Sequence, residues 1–270
     1  MKSLKLSSGT EIPALGFGLW LIKDRETCIA SVNTALEAGY RHFDTAQYYK
    51  NEAFLGWALA HSTVPRAEVF ITTKIANDNQ WWTDIIPSFE ESLTNLQTDY
   101  IDLLLLHFPV TETRHPAWRK MEGIYKSGRA KAIGVSNYTV RHLEELLTEC
   151  SVPPAVNQVE LHVFLQQPEL VKFCQDHDIL VEAYSPLAHG EGMDNPVLAD
   201  LATKHGKTPA QIMIRWCLQI GTIPLPKSET LERIKQNYDI FDFKLDKDDL
   251  TKIKTLESNL RTAWDPTHVA

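Results

Sequence analysis

Short apolar runs alternate with amphipathic stretches along almost the whole chain. Several of these runs are apolar at successive positions rather than at alternate ones, and residues 101–106 (Ile-Asp-Leu-Leu-Leu-Leu) are the clearest case. Strands buried on both faces are expected where helices cover both sides of a parallel sheet. The predicted strands are residues 14–18, 41–43, 69–73, 101–106, 130–135, 155–159, 180–183 and 222–224.

Amphipathic segments of helical period separate the predicted strands. Residues 27–38, for example, place Ile29, Val32 and Leu36 near helical spacing. Residues 4–13 precede the first strand and predict a short hairpin that turns at Ser8-Gly9. Strands that alternate with helices in this way predict an α/β fold, the (β/α)8 TIM barrel, with an N-terminal β-hairpin. The other predicted helices are residues 52–61, 83–96, 118–126, 140–150, 168–176, 209–220 and 247–256.

A doubly wound open sheet is the rival architecture. An open sheet that binds a dinucleotide normally carries a glycine-rich turn after its first strand. Here the first strand continues as Gly16-Phe-Gly18-Leu-Trp20, and the chain contains neither G-x-G-x-x-G nor a P-loop motif. Barrels of about 250 residues are commonly one domain. Since the sequence has no repeat and no Pro/Gly/Ser linker, we expect a single domain over residues 1–270.

Composition and charge narrow the class of protein. The net charge is −8, and no long basic run is present, which argues against a nucleic-acid partner. The cysteines lie far apart, without C-x-x-C or zinc-type spacing, so we expect reduced, buried thiols and no metal site. The N-terminus lacks an apolar signal core, and no apolar run is long enough to span a membrane. We therefore expect a soluble, cytoplasmic protein. The cysteines are Cys28, Cys150, Cys174 and Cys217.

Ionisable residues follow three consecutive predicted strands. Asp44 ends the second strand and Tyr49 follows it, Lys74 ends the third, and His107 follows the fourth. Catalytic residues of a barrel gather at these strand ends. Each residue also has a purely structural reading, as a turn acid, a packed phenol, a lysine that reaches solvent or a buried histidine. Their convergence on one mouth of the barrel favours chemistry.

The residue types suggest a tyrosine whose pKa is adjusted so that its phenol can act as a general acid. The ordinary pKa of tyrosine is about 10, and a neighbouring ammonium lowers it. A carboxylate beside the lysine keeps that lysine charged, so Asp44, Lys74 and Tyr49 form a plausible chain for general acid catalysis. His107 would orient a substrate carbonyl. No side chain supplies a hydride, whereas a nicotinamide cofactor would.

The segment Gly39-Tyr-Arg-His-Phe-Asp-Thr-Ala46, followed by Tyr49 and Asn51-Glu52, resembles the first signature of the aldo-keto reductase family. The likeness runs over nearly the whole chain. It implies that Asp44, Tyr49, Lys74 and His107 form a catalytic tetrad. It also implies that Tyr49 is the general acid for carbonyl reduction and that NADPH donates the hydride.

The resemblance extends to the segments that bind the cofactor. It implies that Ser136, Asn137 and Gln158 bind the nicotinamide carboxamide and that Tyr184 stacks on the ring. Ser185 and Leu187 would then lie near the pyrophosphate. It also implies that a last group of residues binds the adenosine and its 2′-phosphate. Independently of the resemblance, the cations of this group lie at the start of a short helix, which favours NADP over NAD. That group is Lys227, Ser228, Arg233, Gln236 and Asn237.

Aromatic residues in the loops predict the walls of a substrate pocket. Such a pocket suits uncharged or weakly polar carbonyl compounds. The resemblance to compact bacterial 2,5-diketo-gluconate and methylglyoxal reductases implies that the substrates are small aldehydes, 2-oxoaldehydes or keto-sugars. Many relatives are monomers, and we expect the same here. The predicted wall residues are Trp20, Tyr48, Trp81, Trp82, Phe108 and Trp264.

Two other functions fit parts of the pattern. One is an NADPH-binding redox sensor that regulates a partner without significant turnover, although the intact tetrad argues against it. The other is an aldolase that forms a Schiff base on Lys74. The cofactor segments would have no role in such an aldolase.

Overall fold

A β-hairpin precedes the main sheet of the computed structural model, which describes residues 2–81 and 83–270. Strand β1 (Ser3–Lys5) pairs antiparallel with β2 (Glu11–Pro13), with Leu4 opposite Ile12. Gly9 takes a φ of +86° at the turn, a conformation that glycine adopts without strain. Leu6 and Ile12 are buried against the first residues of the sheet strands, so the hairpin covers that end of the sheet.

The main sheet of the described ranges contains eight parallel strands that follow one another in chain order. Gly16 and Gly18 donate backbone hydrogen bonds of 3.1 Å each to the carbonyls of Pro224 and Pro226, which joins the first strand to the last. The fold is therefore the predicted (β/α)8 barrel with an N-terminal hairpin. Its strands are β3 (Phe17–Gly18), β4 (His42–Asp44), β5 (Phe70–Ile75), β6 (Ile101–Leu106), β7 (Ala130–Ser136), β8 (Val156–Glu160), β9 (Leu180–Tyr184) and β10 (Ile223–Pro224).

Helices cover the outside of the barrel and bury the outer faces of the strands. Along β6, Leu103 and Leu105 pack inside the barrel, whereas Leu104 and Leu106 pack against the helices. This double burial explains the continuous apolar run of the sequence. The helices are α1 (Arg25–Ala38), α2 (Glu52–Ala60), α3 (Ile85–Leu96), α4 (Arg114–Lys126), α5 (Val140–Glu149), α6 (Pro168–Asp176), α7 (Pro196–His205), α8 (Pro209–Gln219), α9 (Leu231–Tyr238) and α10 (Lys247–Lys254).

Several element bounds differ from the sequence-based prediction; α4, for example, begins at Arg114 rather than at residue 118. The first barrel strand begins at Phe17 rather than at residue 14, because Gly16 pairs across the closure and the preceding residues run in from the hairpin. Helix α7 was not predicted. Asn195 caps its first turn by accepting a hydrogen bond from the Val197 amide, and Gly206 ends it with a φ of +62°. No helix of the described ranges is long and apolar enough to cross a membrane.

The register of the strands brings the predicted catalytic residues to one edge. Asp44 is paired with Thr72 on β5, and Lys74 is paired with Leu105 on β6. The His107 amide donates to the carbonyl of Ile75, directly beyond the end of β6. These residues therefore lie at the carboxyl ends of adjacent strands, opposite the hairpin.

Candidate active site

Lys74 lies at the centre of a buried network of hydrogen bonds. Its Nζ donates to Asp44 Oδ1 at 2.6 Å, to the Thr45 carbonyl at 2.9 Å and to the Tyr49 hydroxyl at 3.2 Å. The Lys74 side chain is fully buried, so its charge depends on these acceptors. A single turn of 3-10 helix, Gln47–Tyr49, carries Tyr49 back over the strand ends. The structure thus brings together the predicted chain of carboxylate, ammonium and phenol.

His107 completes the group from the other side of the cleft. Its ring centroid is 5.6 Å from that of Tyr49, with the two planes at 72°. The Asn137 side-chain amide donates to the His107 carbonyl at 3.0 Å and holds that part of the backbone. Tyr49 and His107 both line the cleft, whereas Lys74 is buried behind them. A reactant in the cleft would meet a phenol and an imidazole together.

The protonation states favour proton donation from Tyr49. Burial raises the pKa of Tyr49, and the opposing effect of Lys74 is smaller, so the phenol stays protonated at neutral pH. Burial lowers the pKa of Lys74, but Asp44 and Tyr49 outweigh this effect and leave it above its ordinary value. Burial, followed by the charge of Lys74, holds the pKa of His107 well below its usual range. Lys74 lowers the pKa of Tyr49 as expected, but burial raises it more, so the net shift is upward.

A second carboxylate lies beneath the first. The Gln158 side-chain amide donates to Asp44 Oδ2 and to Glu182 Oε2, each at 2.7 Å. Both amide hydrogens are thereby used, and the Gln158 oxygen remains to face the cleft. Burial, with Asp44 nearby, raises the pKa of Glu182 to about 8. Sequence reasoning missed Glu182, which sits inside the barrel on β9 without a motif of its own.

The predicted cofactor residues all line one cleft of about 1200 Å³. At its inner end, Asn137 adopts a φ of +65° and donates to Ser136 Oγ at 3.1 Å. The Tyr184 hydroxyl donates to Asn137 Oδ1 at 2.7 Å, which fixes the aromatic ring. The lining residues from that prediction are Ser136, Asn137, Gln158, Tyr184, Ser185, Leu187, Lys227, Ser228, Arg233, Gln236 and Asn237.

The outer end of the cleft carries cations at the start of α9. Arg233 lies in the first turn of the helix and is exposed. Ser228 Oγ accepts a hydrogen bond of 3.0 Å from the Thr230 amide. Lys227 pairs with Glu229 at 2.6 Å, so part of its charge is already balanced. Amide groups and a tyrosine ring at one end and cations at the other fit an elongated dinucleotide with a phosphate on its adenosine.

The sequence profile of the Aldo/keto reductase family matches residues 14–258. The chain belongs to this family. The glyoxal reductase of Bacillus subtilis (strain 168) is 44% identical over 264 residues, 98% of this chain and 96% of that protein. The methylglyoxal reductase DkgA of Escherichia coli O157:H7 is 46% identical over 267 residues, 97% of this chain and 96% of that protein. A solved aldo-keto reductase, AKR2E5 complexed with NADPH, has a TM-score of 0.94 at 34% identity and covers 97% of this chain and 90% of that one.

As an aldo-keto reductase, the protein is an NADP-dependent oxidoreductase. Several cleft residues of this reductase were not predicted from the sequence. Thr208 and Pro209 line the cleft at the start of α8, where Thr208 accepts a hydrogen bond from Gln211. A Thr-Pro pair before an apolar periodic segment is a recognisable helix start, and such starts are candidate anion sites. His189 and Met193, which follow β9, also line the cleft.

Aromatic side chains of this reductase pack around Tyr49 and His107 at the inner end of the cleft. The Trp264 ring centroid lies 5.4 Å from that of His107 and 6.0 Å from that of Phe108. Trp20 stacks on Tyr48 at 5.8 Å and approaches Tyr49 at 4.8 Å. The predicted walls Trp20, Tyr48, Phe108 and Trp264 therefore meet at one place.

The remaining two predicted walls do not join this aromatic group. Trp81 is 56% exposed and is not among the residues that line the cleft. It follows a turn at Asn77–Asn79, and the neighbouring Gln80 is tied to the Phe108 carbonyl by a hydrogen bond of 3.0 Å. Trp82 lies outside the described residues. Of the predicted walls that the structure describes, only Trp20 and Trp264 line the cleft, and the role of all six as pocket walls stays a prediction.

Proposed function

We propose that the protein reduces aldehydes, 2-oxoaldehydes or keto-sugars to alcohols with NADPH, and that Tyr49 is the general acid. The observation that carries the proposal is the contact of the Tyr49 hydroxyl with the Lys74 ammonium beside His107, at the inner end of the cleft. NADPH, when bound, supplies the hydride. The side chains of this chain orient the carbonyl and move the proton.

The proposed proton transfer starts from a protonated phenol. Tyr49 donates its proton to the carbonyl oxygen as negative charge develops there. The Lys74 ammonium, 3.2 Å away, stabilises the resulting phenolate, and Asp44 holds that ammonium in place. The neutral imidazole of His107 donates a hydrogen bond to the same oxygen. In the reverse direction the phenolate accepts the alcohol proton.

In the proposed cofactor site, the nicotinamide lies at the inner end of the cleft and the adenosine at the outer end. Ser136, Asn137 and the free oxygen of Gln158 bind the carboxamide of the nicotinamide, and Tyr184 stacks on the ring. Ser185 and Leu187 lie by the pyrophosphate. The adenosine and its 2′-phosphate bind at the start of α9, which supports NADP over NAD because a phosphate there meets an arginine and a helix N-terminus. The residues proposed for this outer end are Lys227, Ser228, Arg233, Gln236 and Asn237.

Neutral or weakly polar carbonyl compounds suit the substrate side best. Arg114 is paired with Glu145 at 2.5 Å, and Arg261 lies 3.7 Å from Glu160 and 3.5 Å from Asp265. Neither arginine is therefore available to clamp a substrate carboxylate. The relatives named glyoxal reductase and methylglyoxal reductase favour small 2-oxoaldehydes.

The alternatives are less well supported. A Schiff-base aldolase needs a neutral amine, whereas the pKa of Lys74 is raised by Asp44 despite burial. A redox sensor without significant turnover has no need of a tetrad in hydrogen-bonding geometry. Consumption of NADPH with methylglyoxal, glyoxal or a keto-sugar would exclude the sensor, and its absence with all three would exclude the proposed reductase.

The general acid is tested by Tyr49→Phe. We expect turnover to fall by at least about 100-fold, since only the proton donor is removed. NADPH binding, measured by quenching of tryptophan fluorescence, should be retained. Tyr100→Phe is the matched control, because Tyr100 stacks on Arg66 away from the cleft. A Tyr49→Phe enzyme that keeps more than a small fraction of the wild-type kcat would overturn the assignment.

A further inference from the structure

Glu160, the last residue of β8, binds the C-terminal segment through a buried carboxylate. Its side chain is fully buried and accepts hydrogen bonds from the Thr262 amide and the Thr262 hydroxyl, both at 2.6 Å. It also accepts from the Ala263 amide at 3.1 Å. These partners lie about one hundred residues further along the chain. The contact therefore joins the barrel edge to a segment that has no regular secondary structure.

The carboxylate is charged in this setting. Burial raises the pKa of Glu160, but hydrogen bonds from His162 and Thr262 outweigh burial and leave the pKa below its usual value. His162 Nδ1 accepts from the Phe164 amide, so its Nε2 carries the proton that it shares with Glu160 at 3.2 Å. A buried charge is tolerated only where hydrogen bonds satisfy it. The donors that satisfy the Glu160 charge are the Thr262 and Ala263 amides, the Thr262 hydroxyl and the His162 ring.

The segment that Glu160 binds carries one wall of the substrate side. Thr262, Ala263 and Trp264 all line the cleft. The Trp264 ring contacts four aromatic neighbours, yet it remains 40% exposed, so packing alone holds it weakly. Its backbone must supply the rest of the constraint.

A second anchor holds the far end of the same segment. The Arg141 guanidinium donates to the Val269 carbonyl, and the Arg114 guanidinium donates to the Ala270 carbonyl. His142 Nε2 lies 3.2 Å from the Val269 carbonyl oxygen. Trp264 is thus carried on a short strap between two anchors, and Glu160 is the anchor nearer to it.

We propose that Glu160 is a positioning residue for the substrate: by binding the Thr262 and Ala263 backbone, it sets the Trp264 indole against His107 and fixes the size of the carbonyl pocket. This inference rests on the proposed carbonyl reduction. It predicts that loss of the anchor affects substrate recognition more than cofactor binding. It also predicts a larger effect on substrates that reach Trp264.

Glu122 offers a matched control for a purely structural role. Its carboxylate accepts from the Ser151 amide at 2.7 Å, the Val152 amide at 2.9 Å and the Ser151 hydroxyl at 2.7 Å. The chemistry is the same as at Glu160, but this loop precedes β8 at the hairpin end of the barrel. Glu122→Gln therefore makes the same exchange of a carboxylate for an amide without touching the cleft.

The experiment compares Glu160→Gln with Glu122→Gln in the full chain. Methylglyoxal and phenylglyoxal serve as substrates, because they differ only in one substituent, which is a methyl group in the first and a phenyl group in the second. For Glu160→Gln we expect KM for phenylglyoxal to rise about tenfold, with a smaller rise for methylglyoxal, because the negative charge is removed and an NH2 donor replaces one of the oxygens that accept from the Thr262 and Ala263 amides. The value of kcat and the NADPH affinity should stay within about threefold. Glu122→Gln should keep the wild-type KM for both substrates.

Amide hydrogen exchange gives a readout independent of turnover. Exchange at Thr262 and Ala263 should accelerate in Glu160→Gln and not in Glu122→Gln. Equal KM ratios for the two variants, or unchanged exchange at residues 262–263, would overturn the inference. If Glu160→Gln does not fold, Thr262→Val removes the hydroxyl contact alone and should raise KM for phenylglyoxal in the same direction; an unchanged KM would overturn the inference equally.

Failure of the proposed function would look different. Wild-type protein that consumes NADPH with neither of these substrates, nor with glyoxal or a keto-sugar, would exclude the carbonyl reduction. The exchange rates at Thr262 and Ala263 would still decide whether Glu160 anchors the segment.

Discussion

Tyr49 experiences two opposing influences on its phenol. Burial favours the neutral form, and the Lys74 ammonium at 3.2 Å favours the phenolate. The sequence predicted the contact with Lys74, because both residues follow neighbouring strands. It could not predict which influence dominates, since the degree of burial depends on residues from distant parts of the barrel such as Trp20.

The pH dependence of reduction follows from these shifts. In the proposed mechanism the active form has Tyr49 protonated; because its pKa is raised, we expect activity to be lost only as pH rises beyond the ordinary tyrosine range. The pKa of His107 is lowered, so the imidazole stays neutral through the neutral range and charges only in acid. We expect kcat/KM for methylglyoxal to be flat between about pH 6.5 and about pH 9. An acid limb inside this window would contradict the assignment of His107. An alkaline limb would contradict that of Tyr49 unless it disappears in Glu182→Gln, because the pKa of Glu182 is raised to about 8.

Lys74→Met should damage stability and activity for different reasons. Removal of the ammonium leaves the Asp44 carboxylate buried without its partner at 2.6 Å. Loss of one partner of a buried pair costs about 3–5 kcal/mol of unfolding free energy. Turnover should fall by more than about 100-fold, because the phenolate loses its stabilising charge. Urea unfolding and kcat measure the two effects separately.

The double variant Asp44→Asn/Lys74→Met separates the causes. It removes the buried, unpaired charge of Asp44, so much of the unfolding free energy should be recovered while turnover stays low. A double variant as unstable as Lys74→Met would mean that the lost stability does not come from the unpaired carboxylate.

Among the secondary-structure elements, the strands were easier to predict from the sequence than the helices. Runs that are buried on both faces, such as β6, were predicted from the sequence with the right bounds. Helix α7 was missed, although Asn195 before it and Gly206 after it are ordinary capping residues. The strap around Trp264 has no period and no caps, and its distant contacts with Glu160, Arg141 and His142 place it. The aromatic walls were therefore the least predictable part of the candidate site.

Helix α9 gives a prediction about the cofactor. Arg233 lies in its first turn at the outer end of the cleft. Arg233→Ala should weaken NADPH about tenfold or more and leave NADH within about threefold, because only NADPH carries the 2′-phosphate that the guanidinium would bind. Fluorescence titration with both cofactors measures the difference.

Lys235→Ala is the matched control for Arg233→Ala. Lys235 is an exposed cation of the same helix that does not line the cleft. It should leave both affinities unchanged. Equal losses for NADPH and NADH in Arg233→Ala would remove the phosphate argument.

At the scale of the whole molecule, stability and chemistry occupy opposite ends of the barrel. The proposed tetrad and the cleft lie at the carboxyl ends of the strands. The hairpin closes the other end, where Thr10 donates to the Lys131 carbonyl next to the start of β7. The sequence predicted both ends, because hairpin turn residues and strand-end ionisable residues are local signals. Such a division is usual for this architecture.

Ile12→Ala tests this division. Ile12 is fully buried between the hairpin and the interior of the barrel, where it packs in the same cluster as Leu103 and Leu105. Truncation of such a side chain typically costs about 2–5 kcal/mol through lost burial and a residual cavity. We expect a fall of this size in the free energy of unfolding, measured with urea. Because the cavity lies far from the cleft, kcat/KM for methylglyoxal below the unfolding transition should remain that of wild type. A loss of kcat/KM in fully folded Ile12→Ala would show that packing at the hairpin end controls the geometry of the tetrad, and the two ends could then not be treated as independent.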